Sequence, residues 1–176
     1  MNLGNEFLQS AVKRLNYYKE LGDKTFDQLT DTDLHFQPNA ENNSIAINIQ
    51  HMAGNMLSRW TDLLTTDGEK EWRNRDIEFE EQNLSRQQLI DLWEKGWNCC
   101  LDSLRSLTED DLLKTIHIRG EGLLVVDAIN RQLAHYPYHV GQIIYIARII
   151  KNKSWQNLSI PKGDSVQFNK QMKAKS

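Results

Sequence analysis

The sequence predicts an all-α fold, a single four-helix bundle with long crossover loops and room for a short hairpin before the last helix. Four long segments repeat apolar residues at three-and-four spacing, the signature of one buried helix face. Capping and turn signals separate those segments. With 176 residues, the chain is long enough to bury one continuous core without disulfide or metal staples.

The first helix is expected over about 5–28, with Leu8, Ala11, Leu15, Tyr18 and Gly22 on its inner face. A polar stretch from Asp31 to Asn43 contains Pro38 and reads as a loop crossing the bundle, ending at Ser44, a good N-cap. The second helix, about 45–64, buries Ile45, Ile49, Met52, Met56 and Trp60 and stops near the Thr65-Thr66-Asp67-Gly68 turn. His51 projects just outside that face, on a polar stripe with Asn48 and Asn55, so it borders the core without joining it. Residues 69–82 are charged and show no period, with Trp72, Ile77 and Phe79 as anchors of an ordered crossover.

The third helix opens on Ser85 and Gln88, a Ser-x-x-Gln capping box, and runs to about Leu107. Trp93 and Trp97 on its inner stripe read as packing rather than as a ligand cage. Thr108 before three acidic residues suits a short helix start. Thr115 to Ile118 alternates and meets Gly120, which suits a hairpin. The last long helix is expected over about 126–151, interrupted by Pro137, and residues 153–176 as an irregular tail frayed at its Lys-rich end.

A net charge of -3, from acidic and basic side chains mixed along the whole length, argues against a nucleic-acid partner. The longest apolar runs fall far short of the ~20 residues of a membrane span. The first residues, Met-Asn-Leu-Gly-Asn-Glu, carry no secretory signal pattern, so the expected location is cytoplasmic. Cys99 and Cys100 are adjacent on a helix and point about 100° apart, which excludes an unstrained mutual disulfide; Cys100 is expected in the core and Cys99 at its edge.

His135 and His139 are four residues apart, which brings both imidazoles to one side of the last helix within reach of one ion. With Gln132 and Gln142 they form a polar stripe on a helix that is otherwise apolar, and such a stripe needs partners. The stripe by itself leaves two readings level: metal ligands, or core-edge histidines bonded to backbone or to the neighbouring Gln side chains. Two templates fail. Tyr136 stands where a zinc-protease helix carries its general-base Glu, and none of the five histidines has a Glu three residues before it, as a di-iron carboxylate bundle requires. His35 and His117 read as surface or structural residues.

The segment Asn48-Ile49-Gln50-His51-Met52-Ala53-Gly54-Asn55, followed some eighty residues later by Gln132-Leu133-Ala134-His135-Tyr136-Pro137-Tyr138-His139-Val140-Gly141-Gln142-Ile143, resembles the DinB/YfiT-like superfamily of metal-binding four-helix proteins. Further blocks, Ser58-Arg59-Trp60, Thr66 to Lys70, Ile118 to Glu121 and the tail from Trp155 to Phe168, resemble a branch of it without assigned function. The resemblance implies metal ligation by His51, His135 and His139, a nickel or zinc ion, and a homodimer. In characterised relatives it also implies transfer of a low-molecular-weight thiol such as bacillithiol. Three imidazoles alone suit zinc, nickel, copper and iron alike. Asn48, Gln132 and Gln142 are the candidates for hydrogen bonds that orient the ligand rings. Arg59, Arg73, Arg75, Arg119 and Glu121 either line the mouth of the metal pocket or form solvated ion pairs.

Two functional readings follow. One is a metal-dependent thiol transferase acting on small electrophiles. The other is a metal-binding stress or interaction protein without turnover.

Overall fold

A computed structural model describes residues 2–174 of the chain. These residues are mainly helical: α1 (Leu3–Phe26), α2 (Asp31–Leu34), α3 (Ile45–Trp60), α4 (Arg86–Ser106), α5 (Val125–Lys151) and α6 (Ser165–Lys173). A two-stranded antiparallel sheet, β1 (Thr115–Ile118) with β2 (Glu121–Leu124), precedes α5. The long helices pack in a cycle, with α1 against α4 and α5, and α3 against the same two. Among the described residues no helix is long and apolar enough to cross a membrane.

The apolar stripes meet in one continuous cluster that includes Leu15, Ile49, Met52, Trp93, Trp97, Ile129 and Tyr136. A run of edge-on rings crosses it: Phe26 to Trp93 at 5.0 Å, Trp93 to Trp97 at 5.4 Å, and Trp97 to Tyr136 at 5.8 Å. Edge-to-face pairs of this kind add roughly 0.5–1.5 kcal/mol each beyond the area they bury, so the tryptophans lock α1, α4 and α5 together as packing residues. Cys100 is fully buried, Cys99 is partly buried, and both are free thiols.

Helix ends follow local chemistry. Ser85 and Gln88 form the expected capping box at the start of α4. In the hairpin, Arg119 and Gly120 have φ of 57° and 77°, the left-handed pair of a tight two-residue turn, where glycine is free of the Cβ penalty.

Four expectations are corrected. The loop expected over Asp31 to Asn43 begins with α2, whose start is fixed by a Thr30–Asp33 capping box that the nearby Pro38 and Asn residues masked. Helix α3 ends at Trp60 rather than near Leu64, because Thr61 is extended and Asp62 sits at φ 50°. Helix α5 is continuous through Pro137, flanked by the fully buried Tyr136 and Val140, which hold the helix through the position where proline withholds its N–H. The tail carries α6, an exposed helix that buries no residue; Lys175 and Ser176 lie outside the described residues.

His51 is also more deeply placed than its helix projection implies, at 5 % exposure. All of α3 except Gly54 and Leu57 is buried, because the crossover between α3 and α4 covers its outer side. Gln50 Nε2 donates to the Glu80 carbonyl at 2.9 Å, and Ser58 Oγ donates to the Gly68 carbonyl at 2.6 Å. The crossover is pinned in turn to the hairpin: Gly68 N–H donates to the His117 carbonyl at 2.7 Å, and Asp67 accepts from the Arg119 and Gly120 N–H groups at 2.9 and 2.8 Å.

Candidate metal centre

Helix α3 supplies His51 and helix α5 supplies His135 and His139. One ligand atom from each ring lies within 4.8 Å of the others. His51 and His139 are buried and His135 is half-buried. The three residues form a cluster that can hold one metal ion.

Each ring is held from behind at Nδ1. His51 Nδ1 is 3.0 Å from Glu78 Oε2, His139 Nδ1 is 3.0 Å from Asn48 Oδ1, and His135 Nδ1 is 3.2 Å from Gln132 Oε1. A carboxylate only accepts, so His51 donates from Nδ1. The Asn48 amide is oriented by its own Nδ2, which donates to the Ser44 carbonyl at 2.9 Å, so its oxygen faces His139 and that ring also donates from Nδ1. Gln132 Oε1 lies 3.2 Å from His135 Nδ1. The Nε2 atoms of His51 and His139 therefore carry lone pairs, and Nε2 of His135 stands 3.1 Å from that of His139. Ligand nitrogens around one zinc ion stand about 3–3.4 Å apart, given Zn–N bonds of about 2.0–2.1 Å.

Burial, followed by the neighbouring cationic and imidazole groups, lowers the His135 pKa to about 4 and that of His139 to about 3. Both rings are neutral at physiological pH, the form that ligates a metal. Asn48 and Gln132 lie within hydrogen-bond distance of the histidines, whereas Gln142 lines a separate cavity with Tyr138 and Tyr145.

Glu78 is absent from the sequence-derived site. It is buried, and Arg73 grips it with two bonds, Nε to Oε1 at 2.7 Å and Nη2 to Oε2 at 2.8 Å. Burial acts to raise its pKa, but the hydrogen bonds from Arg73 and His51 outweigh it and hold the carboxyl below its ordinary range. Gly54, one turn along α3 from His51, gives this carboxylate its space: a Cβ there would collide with Glu78 Oε1.

Residues 2–164 match the model of a family described as a protein of unknown function, DUF1572. The chain belongs to that family. No curated protein matches it.

Beside the histidines of this DUF1572 protein lies a cavity of ≈ 510 Å³, lined by His51 and His135 together with Arg59, Arg73, Arg75, Arg119 and Arg131. Of the sequence candidates for the pocket mouth, four arginines line it and the exposed Glu121 does not. Arg131 is a further lining residue, four residues before His135 and so on the same side of α5, a spacing that the sequence itself contains. His35 pairs with Glu81 at 3.1 Å and His117 is exposed on β1; neither belongs to the cluster.

Proposed function

We propose that this protein is a four-helix bundle of the DinB/YfiT-like kind whose His51, His135 and His139 hold one divalent zinc or nickel ion, and that it transfers a low-molecular-weight thiol to small electrophiles. The observation that carries the metal part is the side-chain oxygen set behind each of the three rings. With an oxygen of Glu78, Asn48 or Gln132 at each Nδ1, the Nε2 atoms are left for an ion, and those of His135 and His139 stand 3.1 Å apart, a spacing that two ligands of one zinc ion adopt. Three protein ligands are also the number offered by catalytic-type sites, as against four in closed structural ones.

An ion bound there supplies Lewis acidity that keeps a thiol deprotonated near neutral pH. In the transfer, the thiolate sulfur forms a bond to the electrophilic carbon, the leaving group departs with its bonding electron pair, and the thiol proton goes to solvent. The cavity supports this reading because it reaches two of the three histidines and has room for a small molecule. Hydrolysis by a zinc-protease scheme finds no base: Tyr136 accepts from Trp60 Nε1 at 2.9 Å and donates to Asn55 Oδ1 at 3.1 Å. Its phenol is fully buried, which pushes its pKa well above the ordinary value. The alternative of a metal-binding stress or interaction protein without turnover would leave that cavity without a role.

The test is the visible spectrum of the cobalt-substituted protein on addition of bacillithiol. A new sulfur-to-cobalt charge-transfer band is expected. An unchanged spectrum would remove the thiol part of the proposal, and failure to take up cobalt would remove the metal part.

A further inference from the structure

The cavity beside the histidines is unusual for a chain of net charge -3, because the charged side chains that line it are all arginines. These arginines fall into two groups. Arg59 and Arg73 are buried at their side chains and structurally engaged: Arg59 Nη2 donates to Glu69 Oε2 at 3.0 Å, and Arg73 grips Glu78. Even so, Arg59 Nε and Arg73 Nη1 have no hydrogen-bond partner among the described residues. Arg75, Arg119 and Arg131 are exposed at the cavity and are not needed to satisfy a buried carboxylate. Arg75 lies over the Phe79 ring at 4.9 Å, and that ring packs on His51 with centroids 4.5 Å apart. Arg119 shares Glu69, its Nε 3.0 Å from Oε2. The Arg131 side chain makes no hydrogen bond or ion pair with any described residue.

Five arginines thus line one cavity, and among the described residues their ion pairs are with Glu69 and Glu78 alone, two carboxylates already shared among Arg59, Arg73 and Arg119. A surface whose purpose was solvated ion pairing would match its charges; this one leaves a positive excess facing a cavity. Guanidinium forks suit carboxylate and phosphate oxygens, which accept two parallel N–H bonds.

We propose that this cavity binds a small molecule bearing a carboxylate or phosphate group, with Arg131, Arg119 and Arg75 holding the anion and the rest of the molecule directed toward the histidines. The anion site stands on the arginines alone; that its occupant reacts at the histidines rests on the metal-centre reading above.

The experiment is isothermal titration of the full chain, metal-free and zinc-loaded, with malonate and with inorganic phosphate at constant ionic strength set by sodium chloride. Four proteins are compared: the wild type, Arg131→Gln, Arg75→Gln, and Arg148→Gln, the last on α5 outside the cavity; circular dichroism checks that each is folded. The wild type is expected to show saturable binding of at least one probe with or without zinc. Affinity should fall tenfold or more in Arg131→Gln, fall in Arg75→Gln, and stay unchanged in Arg148→Gln. Preference for malonate would assign carboxylates and preference for phosphate would assign phosphoryl groups, both within the proposal. No saturable binding, or equal binding by the Arg131 and Arg148 variants, would overturn it. Binding that needs zinc and ignores Arg131 and Arg75 would also overturn it while leaving the metal centre intact. Arginine-dependent binding by a protein that takes up no metal would uphold the anion site and remove the metal reading.

Discussion

Nδ1 of His51 and Oε2 of Glu78 stand 3.0 Å apart, joining the histidine of α3 to a crossover that has no regular period of its own. Glu78 is at the same time the buried partner of Arg73, so one carboxylate orients a candidate ligand and anchors the crossover. Groups that orient ligand rings in this way typically contribute 10–100-fold to metal affinity. Glu78→Gln keeps the shape and loses the charge. Its zinc affinity, measured by competition with a chromogenic chelator, is predicted to fall about tenfold or more, with the helical circular dichroism retained.

Gly54 and Gly141 make a matched pair of tests on two helices. A methyl at Gly54 meets Glu78, whose carboxylate cannot swing away without releasing Arg73 and His51, whereas a methyl at Gly141 has open space around it. Gly141→Ala is predicted to stabilise the protein by about 0.5–1 kcal/mol through helix propensity. Gly54→Ala is predicted to destabilise it by about 1–3 kcal/mol from overpacking. Guanidinium unfolding midpoints check both signs.

Tyr136→Phe removes the hydroxyl that accepts from Trp60 Nε1 and donates to Asn55 Oδ1. Both partners are buried. The variant is predicted to lose about 1–3 kcal/mol, the cost of leaving buried polar groups unpaired, while still taking up metal. Chemical denaturation and metal analysis of the same sample separate the two effects.

The pH dependence of the metal-free protein follows from the two lowered histidines. In the unfolded chain both protonate near the ordinary value of 6.5; folded, they do so only at about 4 and about 3. Below pH 6.5 the unfolded chain therefore binds more protons than the folded one, and stability falls as pH drops through that window. Asp67 and Asp111, each held at about 2 by hydrogen bonds, contribute stability that is present above their unfolded value of 3.8 and is lost below it. Urea midpoints are predicted to decline from pH 7 to pH 4 and further below pH 4. A flat profile between 7 and 4 would contradict neutral, buried rings.

Most of the helices were legible because their signals are local. Apolar spacing marks α1, α4 and α5, the Ser85–Gln88 box marks where α4 begins, and Gly120 marks the hairpin turn. The His135–His139 pair was legible for the same reason, since four residues of helix fix which side both rings occupy. A helix projection leaves His51 at the core edge, whereas its burial comes from residues 65–82 folding over α3, a cover that no projection of one helix contains. Glu78 was illegible for the same cause: it lies 27 residues from His51, in a segment where charge is dense and period absent. Helix α6 buries nothing, so the pattern of apolar spacing that reveals a packed helix was never there to find.

The central claim is that His51, His135 and His139 hold an ion. Its most direct test is metal content by mass spectrometry of protein purified without affinity tag or chelator, wild type beside His139→Ala. Near-stoichiometric zinc or nickel in the wild type, lost in the variant, is the predicted result. Wild-type protein that carries no metal and takes up none when zinc or nickel is added would contradict the claim and leave the three histidines as structural residues.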